Sequence, residues 1–191
     1  MNLSLRWCVT AVVALAALSC SDPVPPAAQG AFIVRLTSGV SGKQCASGAS
    51  ATYDVPAVHD TTPGEELNES RYLHWTVDGE SGSQVACTVK GGSAAFSGRI
   101  VQSPRVLEIS DGMLTSNTTG TARISTVDTS KLSTTLTSAA ADCTISVVSL
   151  GDETQVAPGS LWATFSCAAV LHAPNEGCAA KGTFLLDNCG K

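Results

Sequence analysis

The chain is 191 residues long, carries a formal net charge of −5 and is 43% hydrophobic but only 5% aromatic. An acidic chain lacks the basic surface with which proteins hold nucleic acid, so nucleic acid is not an expected partner. The length suits one domain with a substantial core and is short for two.

The first 20 residues have the pattern of an export leader. A short basic segment is followed by an apolar run over 7–18, and small residues precede Cys20. Residues 17–20 resemble the lipobox of bacterial lipoprotein signal peptides. The resemblance covers 1–20 only, and it implies that Cys20 becomes the lipidated first residue of the mature protein. Ser21, which follows, implies outer-membrane sorting by the same resemblance.

Three other interpretations of the leader compete with the lipobox. A core helix of a cytosolic protein is disfavoured, because such a helix does not normally begin at Met1 and stop at a cysteine followed by Ser21, Asp22 and Pro23. A membrane-spanning helix needs about 20 apolar residues, whereas the run over 7–18 has 12. Cleavage of an ordinary secretory signal at the same bond would give a secreted protein, and this alternative stays open. In either case export predicts an oxidising compartment, and a lipid would anchor the protein to the bacterial cell envelope, at the outer membrane.

Cysteine counting favours lipidation. Cys8 would leave with the leader and Cys20 would carry the lipid, which leaves an even number that can pair completely. The six are Cys45, Cys87, Cys143, Cys167, Cys178 and Cys189. Zinc is the weaker use of these residues, because the chain has no C-x-x-C pair and no His at finger spacing. No metal and no cofactor are predicted.

Three regions are predicted along the chain: a lipoprotein signal peptide over 1–19, a tether over 20–30 and a single domain over 31–191. The tether is rich in Pro and Ala, a composition that stays extended and would reach about 30 Å at most. Loss of the leader leaves ten basic and 16 acidic side chains, a formal charge of −6.

Hydrophobic residues beyond position 31 alternate with period two, which predicts strands. The predicted strands are 31–37, 51–58, 71–78, 83–90, 93–102, 105–110, 120–127, 142–150, 160–171 and 181–187. Short, regular strands of this kind predict an all-β fold, an antiparallel β-sandwich of roughly eight to ten strands stapled by disulfides. The best helix candidate is 130–141, although its Ser and Thr content suits a loop or strand equally well.

A glycine pair at 91–92 predicts a two-residue hairpin turn. That turn sets residue i opposite residue 183 − i, so Val89 would face Ala94 and Cys87 would face Phe96. One face of this pair is apolar throughout, which places Cys87 on the inward face. Three further dipeptides read as turns, with calcium a minor alternative: Asp111-Gly112, Gly151-Asp152 and Asp187-Asn188.

A second hairpin is predicted around the loop between Leu150 and Ser160, with residue i opposite 310 − i. Apolar matching and cysteine matching choose this register independently, which predicts a bridge between Cys143 and Cys167. Of the 15 possible pairings the favoured one adds Cys178 with Cys189 and Cys45 with Cys87. Each bridge would contribute about 3 kcal/mol.

The polar segment 54–71 and its flanks form a candidate ligand loop. Its candidate contact residues are Tyr53, His59, Asp60, Tyr72, His74 and Trp75. Loops on rigid sheets often carry binding sites, which would make this a contact surface for a sugar, a cation or a partner protein. The alternative is a solvated connection whose acidic residues maintain solubility.

No catalytic motif was found: the chain has no nucleophile elbow, no H-E-x-x-H, no Walker loop and no dinucleotide turn. The three histidines are scattered. The sequence therefore predicts a non-catalytic, lipid-anchored envelope protein with a structural or binding role, whose partners are the membrane and an envelope protein or polysaccharide. The alternatives are a carbohydrate-binding module and a hydrolase of envelope polymers.

Overall fold

The computed structural model describes residues 25–39, 45, 51–55, 75–91, 95–130, 134–150, 153–173 and 176–190. Within these ranges the protein is all-β and contains no helix. The strands are antiparallel, so the predicted fold class is confirmed. Cys20 and the leader lie outside the described residues, and their role stays a prediction.

Fourteen strands are present in the described residues. In chain order they are β1 (Gln29–Gly39), β2 (Ala51–Val55), β3 (Thr76–Val77), β4 (Gln84–Val89), β5 (Ala95–Gln102), β6 (Arg105–Leu114), β7 (Thr119–Asp128), β8 (Leu136–Thr137), β9 (Cys143–Val147), β10 (Ser149–Leu150), β11 (Glu153–Thr154), β12 (Val156–Ala157), β13 (Ser160–Ala173) and β14 (Glu176–Asp187).

Twelve of these strands form one sheet with the order β2-β1-β14-β13-β8-β7-β6-β5-β4. Strand β9 pairs with both β7 and β13, and so continues the sheet beside β8. The sheet folds over its inner face, because β5 packs closely against β1 and β14. A Cβ added to Gly30 would lie 2.7 Å from Ile100, and one added to Gly98 would lie 2.8 Å from Leu186. The two halves of the sheet thus form a sandwich-like fold.

Period-two alternation creates the core. In β9 the residues are alternately buried and exposed, as expected for a strand with one face in the core and one in water. All four phenylalanines are buried: Phe32, Phe96, Phe165 and Phe184. The Phe184 ring centroid lies 6.2 Å from that of Phe96 and 6.4 Å from that of Phe165. Both distances suit favourable aromatic pairing. The Phe96 contact joins β5 to β14 across the core, whereas the Phe165 contact joins the neighbouring strands β13 and β14.

Three disulfides staple the fold. Cys143 and Cys167 lie directly opposite each other on β9 and β13, with Cα atoms 4.1 Å apart, which confirms the predicted bridge. The other two predicted pairs are wrong. The structure instead pairs Cys45 with Cys178 and Cys87 with Cys189.

Strand pairing explains the correction. The end of β1 pairs with the start of β14, and Gly39 aligns with Cys178, so the chain that follows β1 brings Cys45 to β14. Strand β4 lies beside the segment that follows β14, where Gly190 donates a backbone hydrogen bond of 3.0 Å to Cys87. Neither adjacency is local in sequence, and neither could be read from spacing.

The predicted register is correct for one hairpin and wrong for the other. In the β9–β13 pair, Ile145 faces Phe165, as the predicted register requires. In the β4–β5 pair the register is shifted by two residues, with Val89 opposite Phe96. A longer connection causes the shift, because Lys90 and Ala95 close the hairpin through a 3.0 Å backbone hydrogen bond. A shift of two preserves the face of every side chain, so the inner face of β4 is as predicted.

Two local predictions need correction. Asp111-Gly112 is not a turn, since both residues lie within β6 at an irregularity in the pairing with β5 and β7, where Asp111 adopts a φ of 53°. In the described part of the predicted strand 71–78, only Thr76–Val77 is strand.

Two other predictions agree with the structure where it describes them. The described part of 130–141 contains the short strand β8, which is the strand alternative for that segment. Residues 51–55 of the predicted strand 51–58 form β2, and 56–58 lie outside the described residues.

Candidate functional site

The outer face of β1, β14, β13 and β9 carries a set of polar side chains that line one groove. Antiparallel register aligns their outward residues in rows across the strands. The row that contains both cations, called the cationic row, consists of Arg35, Lys181, Ser166 and Thr144. The neighbouring row consists of Ile33, Thr183, Thr164 and Ser146; the last three carry hydroxyl groups, and Ile33 and Thr183 are buried.

These two rows line a groove of about 440 Å³. Thr37, the next outward residue of β1 after Arg35, also lines the groove, and its hydroxyl donates a hydrogen bond of 3.4 Å to the Ala179 carbonyl. No described lining residue of the groove is acidic. The volume falls in the range of small-molecule and sugar sites. The face is therefore a neutral to cationic surface rich in hydroxyl groups.

Two cations face each other in this groove. Arg35 on β1 lies directly opposite Lys181 on β14. Directly opposed side chains in an antiparallel pair have Cβ atoms about 5 Å apart, and like charges at this separation destabilise the pair. Lys181 is exposed, whereas Arg35 is half-buried.

The guanidinium of Arg35 is incompletely satisfied. Its Nε and Nη2 atoms are buried, and neither has a hydrogen-bond partner among the described residues. A buried donor left without an acceptor costs about 1–3 kcal/mol, and a charged donor costs more. Such groups are uncommon in folded proteins, and a water molecule, an ion or a ligand is the usual acceptor. Nε of Arg123 has the same status among the described residues.

A glycine beneath the groove fixes the spacing of the two central strands. Gly182 lies between Lys181 and the next outward residue of β14, and its α-carbon faces the core. A Cβ there would lie 2.1 Å from the Ile33 carbonyl oxygen and 2.6 Å from the Phe165 ring. Only glycine allows β1 and the Phe165 ring to approach β14 this closely.

The same outer face becomes apolar toward the start of β1. Ala31, Trp162 and Leu185 are buried together there, and Trp75 packs against them. Trp75 is half-buried, so it contributes to this cluster instead of standing free as an aromatic platform. It belongs to the predicted ligand loop, and its position is the part of that prediction that the structure describes in detail.

The structure does not show the other residues of the predicted loop together at one site. The backbone of Tyr53 lies in β2, where it pairs with Val34. His59, Asp60, Tyr72 and His74 lie outside the described residues. The loop therefore remains a prediction, while the groove that the structure reveals lies on strand faces.

A second charged site lies at the β6–β7 hairpin. The Asp128 carboxylate is buried and accepts hydrogen bonds from the backbone N–H and hydroxyl of Ser130 and, at 3.3 Å, from Nε of Arg105. Burial raises the pKa of Asp128, but these hydrogen bonds and the Arg105 charge outweigh it, so the pKa lies below its usual value. Its local partners identify the group as a structural tie at the base of the hairpin.

Sequence reasoning did not identify Arg35 or Lys181 as site residues. The available signal was a single cation in the middle of each of two strands, at Arg35 among apolar neighbours and at Lys181 between small residues. Such cations usually lie on a solvated face. Only the pairing of β1 with β14 shows that the two are opposed.

The described residues contain no group of three or more His, Cys, Asp or Glu residues placed to hold a metal ion. The described residues likewise include no helix of the length and hydrophobicity needed to cross a bilayer.

Comparison of the chain with protein-family models, with curated proteins and with solved structures found no significant match. Functional inference therefore depends on the residues themselves.

Proposed function

We propose that the protein is a non-catalytic binding protein of the bacterial cell envelope, anchored by a lipid on Cys20. In this proposal the tether over 20–30 holds the β domain off the membrane, and the groove on β1, β14, β13 and β9 receives the ligand. The leader and Ser21 support outer-membrane sorting through their resemblance to lipoproteins.

The observation that carries the proposal is the complete pairing of the six cysteines that follow Cys20. Disulfides persist in oxidising compartments and are rare in the cytosol. Complete pairing leaves Cys20 as the one cysteine thiol of the exported chain that is free to take an acyl group, because Cys8 would leave with the leader.

The test is the intact mass of the protein extracted from membranes, measured with and without reductant. We expect acyl mass on a chain that begins at Cys20, and a gain of two hydrogens for each of three bridges on reduction. Cys20→Ser should abolish acylation and membrane recovery, whereas Cys8→Ser, the matched control within the leader, should leave both unchanged. A reduced protein in the cytoplasm with residues 1–19 attached would contradict the proposal.

A further inference from the structure

We infer that Arg35 and Lys181 bind the oxyanion groups of an acidic polysaccharide lying across the groove. This inference rests on the proposed function, which takes the groove as the binding surface, and it adds the class of ligand. It does not depend on the lipid at Cys20.

The first argument is the opposition of two cations. Arg35 and Lys181 are opposed across β1 and β14, and no described lining residue of the groove is acidic. The register places one acidic residue, Asp54 of β2, opposite Ile33 on the other side of β1. Two cations held this close raise the free energy of the folded state. An anion between them removes that repulsion and gains charge-assisted hydrogen bonds from both. The opposed pair thus places two positive charges side by side on a chain whose net charge is negative.

The second argument is the geometry of the Arg35 guanidinium. Nε and Nη2 form one edge of its planar fork, and both atoms are buried without a partner, so an anion in the groove reaches this edge only when the Arg35 side chain turns outward. That edge presents two parallel N–H groups, which match two oxygens of one carboxylate, sulfate or phosphate. A neutral ligand would satisfy the hydrogen bonds but leave the charge repulsion in place. The chemistry of the edge therefore selects an oxyanion.

The third argument is the hydroxyl surface beside the cations. Ser166 and Thr144 continue the row from Lys181, and Thr164 and Ser146 run parallel to it. From β1 to β9 the rows cross three strand spacings, or about 14 Å. Hydroxyl groups both donate and accept hydrogen bonds, so they suit a ligand that presents hydroxyls at intervals. A peptide would pair with a strand edge, whereas this surface is a strand face.

The experiment uses the full-length chain expressed with its own leader and purified in neutral detergent at low ionic strength. Calorimetric titration compares a sulfated dextran oligosaccharide, the unsulfated dextran of the same length, and inorganic sulfate. We expect the sulfated sugar to bind, the neutral sugar to bind at least tenfold more weakly, and free sulfate to compete at concentrations at least tenfold higher. Arg35→Gln and Lys181→Gln should each weaken binding of the sulfated sugar at least tenfold.

Two matched controls remove a cation elsewhere: Arg99→Gln on β5 and Lys90→Gln at the end of β4 are exposed sites outside the groove. Each should bind the sulfated sugar like the unaltered protein. Because both groove substitutions lie on the outer face, retention of all three disulfides and of a cooperative thermal transition will establish that the variants fold. Lys181→Gln should raise the midpoint in the absence of ligand, since it removes the repulsion.

The outcomes separate the two proposals. Equal binding of the sulfated and neutral sugars that survives both groove substitutions overturns the oxyanion assignment and leaves a binding role elsewhere. Equal loss in groove and control variants reduces the effect to net charge and also overturns it. Free sulfate binding as tightly as the sulfated sugar overturns the polysaccharide part. If the protein carries no acyl mass but the groove variants lose binding, the lipid anchor is overturned and the oxyanion site is supported.

Discussion

Gly182→Ala tests the claim that β1 and β14 approach too closely for any side chain between them. The added Cβ would lie 2.1 Å from the Ile33 carbonyl oxygen, a backbone atom, and 2.6 Å from the Phe165 ring. Ordinary contact begins near 3.4 Å, so the strands must separate by about 1 Å or the ring must leave its place in the core. The effect should spread to Lys181 and Thr183, whose positions depend on the same pairing.

The magnitude follows from overpacking. Extra methyl groups in packed sites cost about 1–3 kcal/mol, and a clash with backbone belongs at the top of that range or above it. Reduced entropy of the unfolded chain returns about 0.4–1 kcal/mol. We therefore expect a net loss of about 2–3 kcal/mol, which lowers the thermal midpoint of a domain of this size by about 4–12 °C.

The assay is thermal and urea unfolding of three variants. Gly190→Ala is the control, because its nearest atom is at 3.6 Å and its φ is ordinary, so its stability should change by less than about 0.5 kcal/mol. Gly98→Ala meets only the flexible end of Leu186 at 2.8 Å and should fall between the two. A Gly182→Ala protein as stable as Gly190→Ala would refute the close approach and, with it, the register beneath the groove.

Two further predictions concern acid unfolding and the loss of disulfides. Because the folded pKa of Asp128 lies below its unfolded value, the stability that Asp128 contributes is complete above about pH 5 and is lost as pH falls through the folded pKa. Asp128→Asn should lower the free energy of unfolding by about 3 kcal/mol at pH 7. It should also flatten the acid side of the stability profile measured by urea unfolding, and an unchanged profile would contradict this assignment. Replacing Cys87 and Cys189 together by Ala removes a bridge between residues 102 apart and should lower the free energy of unfolding by about 5 kcal/mol. Replacing Cys143 and Cys167 removes a bridge between residues 24 apart and should lower it by about 3 kcal/mol. Hydrogen exchange should show the lost protection of the first variant at β4, and the reverse order of stabilities would contradict the chain-entropy explanation.

Sequence predicted the elements well where one face of a strand is buried. Period-two alternation located most of the long strands, because a strand that slips by one residue exposes its whole apolar face. The β9–β13 register was predictable since apolar residues and the cysteines Cys143 and Cys167 chose it independently. The β4–β5 register was not, because a slip of two residues keeps every face unchanged and the glycines at 91–92 did not reveal the length of the connection.

Long-range neighbours explain what the sequence left out. Cys45 and Cys178 are 133 residues apart and meet only because β1 adds to the sheet beside β14. The pair of Arg35 and Lys181 depends on that same adjacency. Residue patterns specify which face a side chain occupies, but strand order decides what lies across from it. The disulfide errors and the missed groove therefore have one physical cause.

The position of the groove along the chain limits which ligands an anchored protein could reach. Nine residues separate Cys20 from Gln29, where β1 begins, and this length spans about 30 Å when extended. Arg35 lies six residues further on, about 20 Å along the strand. If Cys20 carries the lipid, the cationic pair lies within about 50 Å of the membrane surface, because neither segment can lengthen further. A polysaccharide attached near that surface meets the groove at high effective concentration, whereas a free anion gains nothing from the anchor. The short tether and a groove on the first strand thus favour a surface-bound acidic glycan over a diffusible anion.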